Sequence, residues 1–361
     1  MEPVVSPNDR KVARWLLILC GLVFAMVVLG GFTRLTGSGL SMTDWRPVTG
    51  ILPPVSEAAW QETFDRYRET PEFIQVNSTM DLAAFKGIFW LEYLHRLLGR
   101  IIGLAFLLPF AWFVWQGYIR KPEMPKYGLM FVLGGLQGVL GWYMVKSGLV
   151  DNPRVSQYRL VAHLSSAIVI YAYMFWVALS LLYPCPSNGP SHPWFSRSLA
   201  LAALILITVL SGGFVAGLDA GLMYNTFPKM GSYWIPPGYL AMQPAWRNLF
   251  ENMAAVQFNH RLLAVTTFCV IVAYWWFARR LDVPRRIRAS VNALLHTALL
   301  QVALGISTLL MMVPILLAAA HQAVALVLIT VVLYLCHALR SAEPDRMAHL
   351  LEPESPANEA R

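Results

Sequence analysis

The first long apolar stretch of this chain ends in the segment GGFTRLTGSGL at residues 30–40, and a similar segment, GGFVAGLDAGL, ends a later apolar stretch at residues 212–222. The two segments share a Gly-Gly-Phe triplet and a later Gly-Leu pair at an offset of 182 residues. Recurrence at a long, nearly constant interval indicates copies of one structural unit. These segments therefore predict a tandem duplication.

Two further motifs recur at similar offsets. The HRLL motif at 95–98 returns at 260–263, and the QxxLG motif at 137–141 returns at 301–305. Both lie in apolar stretches of about 20 residues, the length of a transmembrane helix. The sequence thus predicts an all-α integral membrane protein with eight transmembrane helices in two tandem four-helix bundles. The predicted spans are 15–32, 87–115, 127–145, 158–182, 198–216, 252–277, 290–312 and 315–339.

Composition supports the same class. Hydrophobic residues make up 57% of the chain and charged residues only 13%, compared with roughly 25% charged in soluble domains. The net charge of +8 comes from short basic clusters between apolar stretches, which argues against nucleic acid as a partner. Placing both termini inside (N-in/C-in) puts most of these clusters on the cytoplasmic side, as the positive-inside rule requires. Equivalent helices are four helices apart, an even number, so both repeats cross the membrane in the same direction and are parallel.

The predicted organisation has five parts. They are a cytoplasmic N-terminus (1–14), an N-terminal bundle (15–182) with a long outer loop (33–86), a cytoplasmic linker (183–197), a C-terminal bundle (198–339) and a disordered cytoplasmic tail (340–361). The outer loop is expected to contain a short amphipathic helix over 56–68, and none of the four cysteines is placed to form an extracellular disulfide.

Four histidines carry the predicted chemistry. One lies on each even-numbered helix, about five to nine residues past its outer start, in an order that repeats between the halves. A histidine inside a membrane span is a candidate functional residue by default, although one alone is as often hydrogen-bonded to a neighbouring helix. Facing imidazoles in a four-helix bundle suit haem iron, so each half is predicted to hold one haem near the outer surface. The pairs are His95 with His163, and His260 with His321.

Two other kinds of site fit these histidines less well. Zinc and copper also accept imidazole, but neither half offers a third histidine or a cysteine at the same level. A di-haem cytochrome b places two histidines on each of two helices, whereas this chain places one on each of four. The remaining histidines have no repeat partners and are read as interfacial or solvated: His192, His296, His337 and His349.

The halves differ beside the first ligand. Glu92 precedes His95 by three residues, and Gln257 holds the matched position before His260. Residues three apart share a helix face, so Glu92 is a candidate base or charge stabiliser, and the first half is predicted to hold the reacting haem. The alternative is that Glu92 only pairs with a nearby basic residue such as Arg96. Arg96 and Arg261 are candidate propionate contacts, with helix-to-helix pairing equally open.

These motifs resemble haem A synthase, specifically its branch that lacks cysteines in the outer loops, which is found in proteobacteria and mitochondria. The resemblance covers nearly the whole chain and rests on residues 30–40, 92–96, His163, 258–261 and His321. It implies an oxidoreductase that acts on a CH group and converts a methyl of haem O to the formyl of haem A. It further implies that Glu92 is catalytic, that His95 and His163 ligate the substrate haem, and that His260 and His321 ligate a resident haem b.

The resemblance also implies a location and partners. It implies a bacterial inner membrane protein whose haem sites face the periplasm, in contact with membrane lipid. Possible partners are the prenyltransferase that makes haem O, assembly factors of cytochrome c oxidase, and further copies of the chain. Two other functions stay open on the sequence: a di-haem electron-transfer cytochrome b, and a haem-binding chaperone or transporter that releases haem unchanged.

Overall fold

A computed structural model of the chain describes residues 5–43, 52–148, 153, 155–184 and 192–340. Within these residues the secondary structure is helical, and no β-strand is formed apart from an isolated bridge between Met230 and Tyr233. Eight of the described helices are long and apolar enough to cross a membrane. The predicted class, an all-α membrane protein with eight spanning helices, is confirmed.

The eight spanning helices are separated by short connections and by two longer loops, which the predicted orientation places on the outer side. They are α1 (Pro7–Leu35), α4 (Leu82–Trp115), α5 (Met124–Gly148), α6 (Gln157–Leu182), α7 (Phe195–Gly217), α8 (Met253–Ala278), α9 (Arg285–Leu310) and α10 (Ile315–Arg340). Two short helices, α2 (Glu57–Arg68) and α3 (Pro71–Gln75), lie in the first outer loop. The amphipathic helix expected at 56–68 is α2, with Ser56 as its N-cap.

Helix α4 begins five residues before its predicted start. The Asp81 side chain accepts a hydrogen bond of 2.8 Å from the Ala84 amide, which satisfies a free donor of the first turn. His95 consequently lies 13 residues past the start of α4, whereas the other three histidines lie six or seven residues past theirs. The expectation of five to nine residues for all four is wrong for His95, because a turn capped by Asp81 extends α4 beyond the predicted span.

Four helices form the centre of the molecule. Helix α1 contacts α4, α6 and α10, and helix α7 contacts α6, α8 and α10. Helices α6 and α10 also contact each other, while α5 packs on α6 and α9 packs on α10. The faces of α4 and α5 that point away from the other helices expose apolar side chains such as Leu104, Leu108, Val132 and Leu136. This is the pattern of a surface solvated by lipid.

The first outer loop packs on the outer end of α4. Trp60, Phe64 and Tyr67 of α2 lie in one aromatic cluster with Phe85 and Phe89 of α4. Tyr67 stacks on Phe85 with ring centroids 5.0 Å apart, and both rings are fully buried. We call this cluster the outer cap. It fixes the loop directly above the helix that carries Glu92 and His95.

Candidate functional site

The four predicted histidines fall into two sets of similar packing. His95 on α4 lies against α1, which packs on the α6 helix that carries His163. His260 on α8 lies against α7, which packs on the α10 helix that carries His321. All four residues are half-buried. The expected pairs are compatible with this packing and stay a prediction.

A glycine of a neighbouring helix lies against each histidine ring. A Cβ placed on any of these glycines would come within 3.2 Å of the imidazole, closer than an ordinary contact. The ring thus rests on helix backbone at a position where other residues would displace it. The contacts are Gly30 with His95, Gly141 with His163, Gly212 with His260, and Gly305 with His321.

Polar side chains hold three of the rings. The Nε2 atom of Gln137 lies 3.5 Å from His163 Nε2 and donates a 2.9 Å hydrogen bond to the His163 carbonyl. In the second half, Gln301 Nε2 lies 3.5 Å from His321 Nε2. Ser211 Oγ lies 2.8 Å from His260 Nδ1. These residues orient the imidazoles, as neighbours of metal-binding histidines commonly do.

The donor set fits haem. Each half offers two imidazoles, and no group of three or more His, Cys, Asp or Glu side chains is assembled anywhere in the described ranges. Two axial imidazoles complete the coordination of haem iron, whereas zinc needs three or four protein ligands. The Nδ1 atoms of His163 and His321 are also buried without a hydrogen-bond partner, so one nitrogen of each of these rings has no structural bond.

Glu92 is buried and engaged by the loop that follows α1. Its carboxylate accepts hydrogen bonds from the Ser41 hydroxyl at 2.7 Å and from the Met42 amide at 2.8 Å, and it forms a salt bridge with Arg96. The pairing with Arg96 that the sequence left open is therefore present. It leaves Glu92 one helical turn from His95, on the same face of α4.

Gln257 contacts the equivalent loop position, but it donates a hydrogen bond where Glu92 accepts one. Its Nε2 donates a 3.0 Å hydrogen bond to the carbonyl of Tyr224, the residue 182 positions after Met42. Arg96 donates to the Met42 carbonyl at 3.0 Å, and Arg261 donates to the Tyr224 carbonyl at 2.6 Å. Both arginines thus bind the backbone of the loop beside their histidine.

Comparison with known proteins agrees with this arrangement. A family model described as "Cytochrome oxidase assembly protein" matches residues 13–333. A "Heme A synthase" of Nitrosospira multiformis is 52% identical over 335 residues, which cover 92% of this chain and 94% of that protein. The chain belongs to the haem A synthase family.

Two other members of the haem A synthase family show how far the similarity extends. "Heme A synthase COX15" of Mus musculus is 48% identical over 92% of this chain and 83% of its own length. "Heme A synthase COX15" of Arabidopsis thaliana is 47% identical over 96% of this chain and 78% of its own length. The resemblance inferred from the motifs is thereby confirmed.

One histidine of this haem A synthase family member was misread from sequence. His337, expected to be interfacial or solvated, is fully buried at the inner end of α10. Its ring packs against Trp176 and lies 3.3 Å from Ser180 Oγ. It is buried because α10 packs closely on α6 there, a tertiary contact that the end of an apolar stretch does not reveal.

The other unmatched histidines differ in their surroundings. His296 is exposed and its Nδ1 donates a 2.7 Å hydrogen bond to the Asn292 carbonyl, while His192 accepts from the Trp194 amide. His349 and one of the four cysteines, Cys185, lie outside the described residues.

Sequence reasoning also missed three residues whose side chains contact the histidine rings, Gln137, Gln301 and Ser211. The repeated QxxLG motif was the available signal for the two glutamines.

Proposed function

We propose that this protein oxidises a methyl group of haem O to the formyl group of haem A. The supporting observation is the inequality of two otherwise similar imidazole pairs: a buried carboxylate, Glu92, lies one turn before His95, and an amide, Gln257, holds the matched position before His260. An amide cannot act as a base or balance a developing positive charge at the reacting carbon.

The substrate is assigned to the first half. His95 and His163 ligate haem O, and His260 and His321 ligate a resident haem b, which supplies a one-electron acceptor for the oxidation. The matched glycines, Gly30 and Gly212, together with the matched loop contacts at Met42 and Tyr224, support two bundles of common design. We assign these bundles to residues 15–182 and 198–339.

Glu92 is the proposed catalytic residue. With both axial positions of the substrate iron taken by imidazole, electron removal from the ring methyl is favoured over attack by oxygen bound to that iron. In each round two electrons and one proton leave the methyl carbon, and the electrons pass one at a time through the resident haem to an external electron acceptor. Water adds to the cation-like carbon, and the Glu92 carboxylate accepts its proton and passes it to solvent. A second oxidation gives a gem-diol, which loses water to form the aldehyde. Label from water, and not from dioxygen, is expected in the hydroxylated intermediate.

The location follows from the same assignments. We place both termini in the cytoplasm of a bacterial cell, both haem sites near the periplasmic face of the inner membrane, and the apolar tail of haem O in lipid. The prenyltransferase that supplies haem O and assembly factors of cytochrome c oxidase are proposed partners, and self-association is compatible with the exposed apolar faces.

The test is the identity of the haems held by purified protein made with a supply of haem O. Haem b together with haem O, its hydroxylated form or haem A is expected from the wild type. His95→Ala should lose haem O, its hydroxylated form and haem A but keep haem b, while His260→Ala should lose haem b. Haem b alone in the wild type would favour an electron-transfer cytochrome, and unchanged haem O in an active preparation would favour a chaperone.

A further inference from the structure

We propose that Ser211 is a positioning residue that orients His260 and strengthens its bond to the iron of the resident haem. This inference rests on the proposed function, because it assumes that His260 is a haem ligand. It adds a second difference between the halves, independent of Glu92.

We assign the hydrogen of the His260 ring to Nδ1, because the Ser211 hydroxyl already has an acceptor for its own hydrogen. Ser211 Oγ donates a 2.7 Å hydrogen bond to the carbonyl of Thr208, so the hydroxyl hydrogen is already used. Its oxygen lies 2.8 Å from His260 Nδ1 and acts there as the acceptor. Nδ1 must then be the protonated nitrogen, which leaves the lone pair of Nε2 for iron.

The ring is also held in place from the adjacent residue. A Cβ on Gly212 would lie 3.0 Å from His260 Cε1, so the imidazole rests on the α7 backbone while Ser211 holds its Nδ1 edge. Two consecutive residues of α7 thus control the position and the rotation of one ligand.

The first half lacks this support. At an offset of 182, Leu29 matches Ser211 and Met26 matches Thr208. In the second half, the Thr208 hydroxyl is hydrogen-bonded to the Thr267 hydroxyl at 2.7 Å. At the offset of 165 that relates the two HRLL motifs, the residue that matches Thr267 is Ile102. The three polar side chains near His260 are therefore matched by three apolar side chains in the half that holds His95.

The two ligands should consequently bind iron with different strength. A hydrogen bond accepted from Nδ1 increases electron donation by the imidazole and restrains its orientation, and loss of such an outer contact commonly costs 10–100-fold in metal affinity. A supported ligand suits a haem that stays bound. An unsupported ligand suits a haem that must arrive as substrate and leave as product.

The test compares Ser211→Ala with Ser211→Thr, which keeps the hydroxyl, and with Leu29→Ala, which shortens the matched side chain of the first half. Transfer of haem b from each purified protein to apomyoglobin gives a rate of loss. The midpoint potential and the electron paramagnetic resonance spectrum of the ferric haem report the ligand field. These readouts do not require turnover.

Ser211→Ala should release haem b roughly 10-fold faster or more, raise its midpoint potential and alter its ferric spectrum. Ser211→Thr should restore the wild-type values, and Leu29→Ala should leave haem b unchanged. Wild-type loss rate, potential and spectrum in Ser211→Ala would overturn the inference. If His260→Ala retained haem b with its wild-type spectrum, the ligand assignment itself would fail, so the two failures are distinguishable.

Discussion

Gly31 of α1 lies in direct contact with Gln322 of α10, and a Cβ on this glycine would come within 2.5 Å of the Gln322 Oε1 atom. Gln322 also donates a 2.7 Å hydrogen bond to the carbonyl of Val27. Because Gly31 follows the glycine that supports His95, and Gln322 follows His321, this contact joins the two histidine pairs through adjacent residues.

Replacing Gly31 by alanine should therefore disturb both sites. The added methyl group displaces the Gln322 amide, and overpacking of this kind costs about 1–3 kcal/mol. We expect a lower thermal midpoint in detergent and reduced haem content in both halves. Gly21→Ala, on the same helix with open space around its Cβ position, is the control and should be neutral or slightly stabilising. Equal behaviour of the two variants would refute this account of the contact.

Replacing Gly305 by alanine should affect mainly the resident haem. A Cβ there would lie 2.8 Å from His321 Cε1, so the imidazole must move away from its ligating position. We expect most of the haem b absorbance per protein to be lost while the fold is retained. Gly138→Ala on α5, which meets nothing within 4 Å, serves as the control, and full haem b content in Gly305→Ala would contradict the prediction.

Glu92→Gln should separate binding from chemistry. The amide preserves the size of the side chain but cannot accept a proton from water, so turnover of haem O should fall about 100-fold or more. Haem O content should fall much less, because the histidine ligands remain. Conversion of haem O to its hydroxylated form, followed by chromatography, measures the effect. Turnover near the wild-type rate would remove Glu92 from the mechanism.

The outer cap should lose stability as the pH rises. Burial raises the pKa of Glu72 from 4.5 to about 7, with a Tyr67 hydrogen bond opposing the shift. The folded cap therefore holds a proton that the unfolded loop releases, so this contribution is complete below pH 4.5 and is lost as the pH passes 7. Its size is on the order of 1–3 kcal/mol.

Glu72→Gln should remove that dependence, because an amide does not titrate. Limited proteolysis of the first outer loop between pH 5 and 8 is the measurement. Wild-type cleavage should accelerate with pH beyond the protease's own profile, determined on an unfolded substrate, while the variant stays level. A wild-type loop that becomes more resistant as pH rises would show that the sign is wrong.

The eight spanning helices could be predicted from the sequence for a physical reason, and the same reasoning selected the four proposed ligands. Spanning helices need long apolar stretches, and a buried histidine in such a stretch is costly enough to stand out. The repeat then paired His95 with His163 and His260 with His321 without any knowledge of helix packing. The α4 start was missed because a polar cap at Asp81 extends the helix outside its apolar stretch.

Contacts made by loops and between helices could not be predicted from the sequence. Nothing in the local pattern of Met42 or Tyr224 indicates that their backbones bind the side chains next to the ligands. The role of Ser211 depends on how α7 faces α8, and the burial of His337 depends on α10 meeting α6. In each case the deciding partner is distant in the chain.

The opposite polarity of the two loop contacts has a consequence for attempts to exchange the roles of the two halves. Glu92 accepts from the amide of Met42, whereas Gln257 donates to carbonyl oxygens of Tyr224 and Gly221. A carboxylate at position 257 would face those oxygens and be repelled. An engineered acidic group in the second half would therefore need a new loop backbone as well as a new side chain.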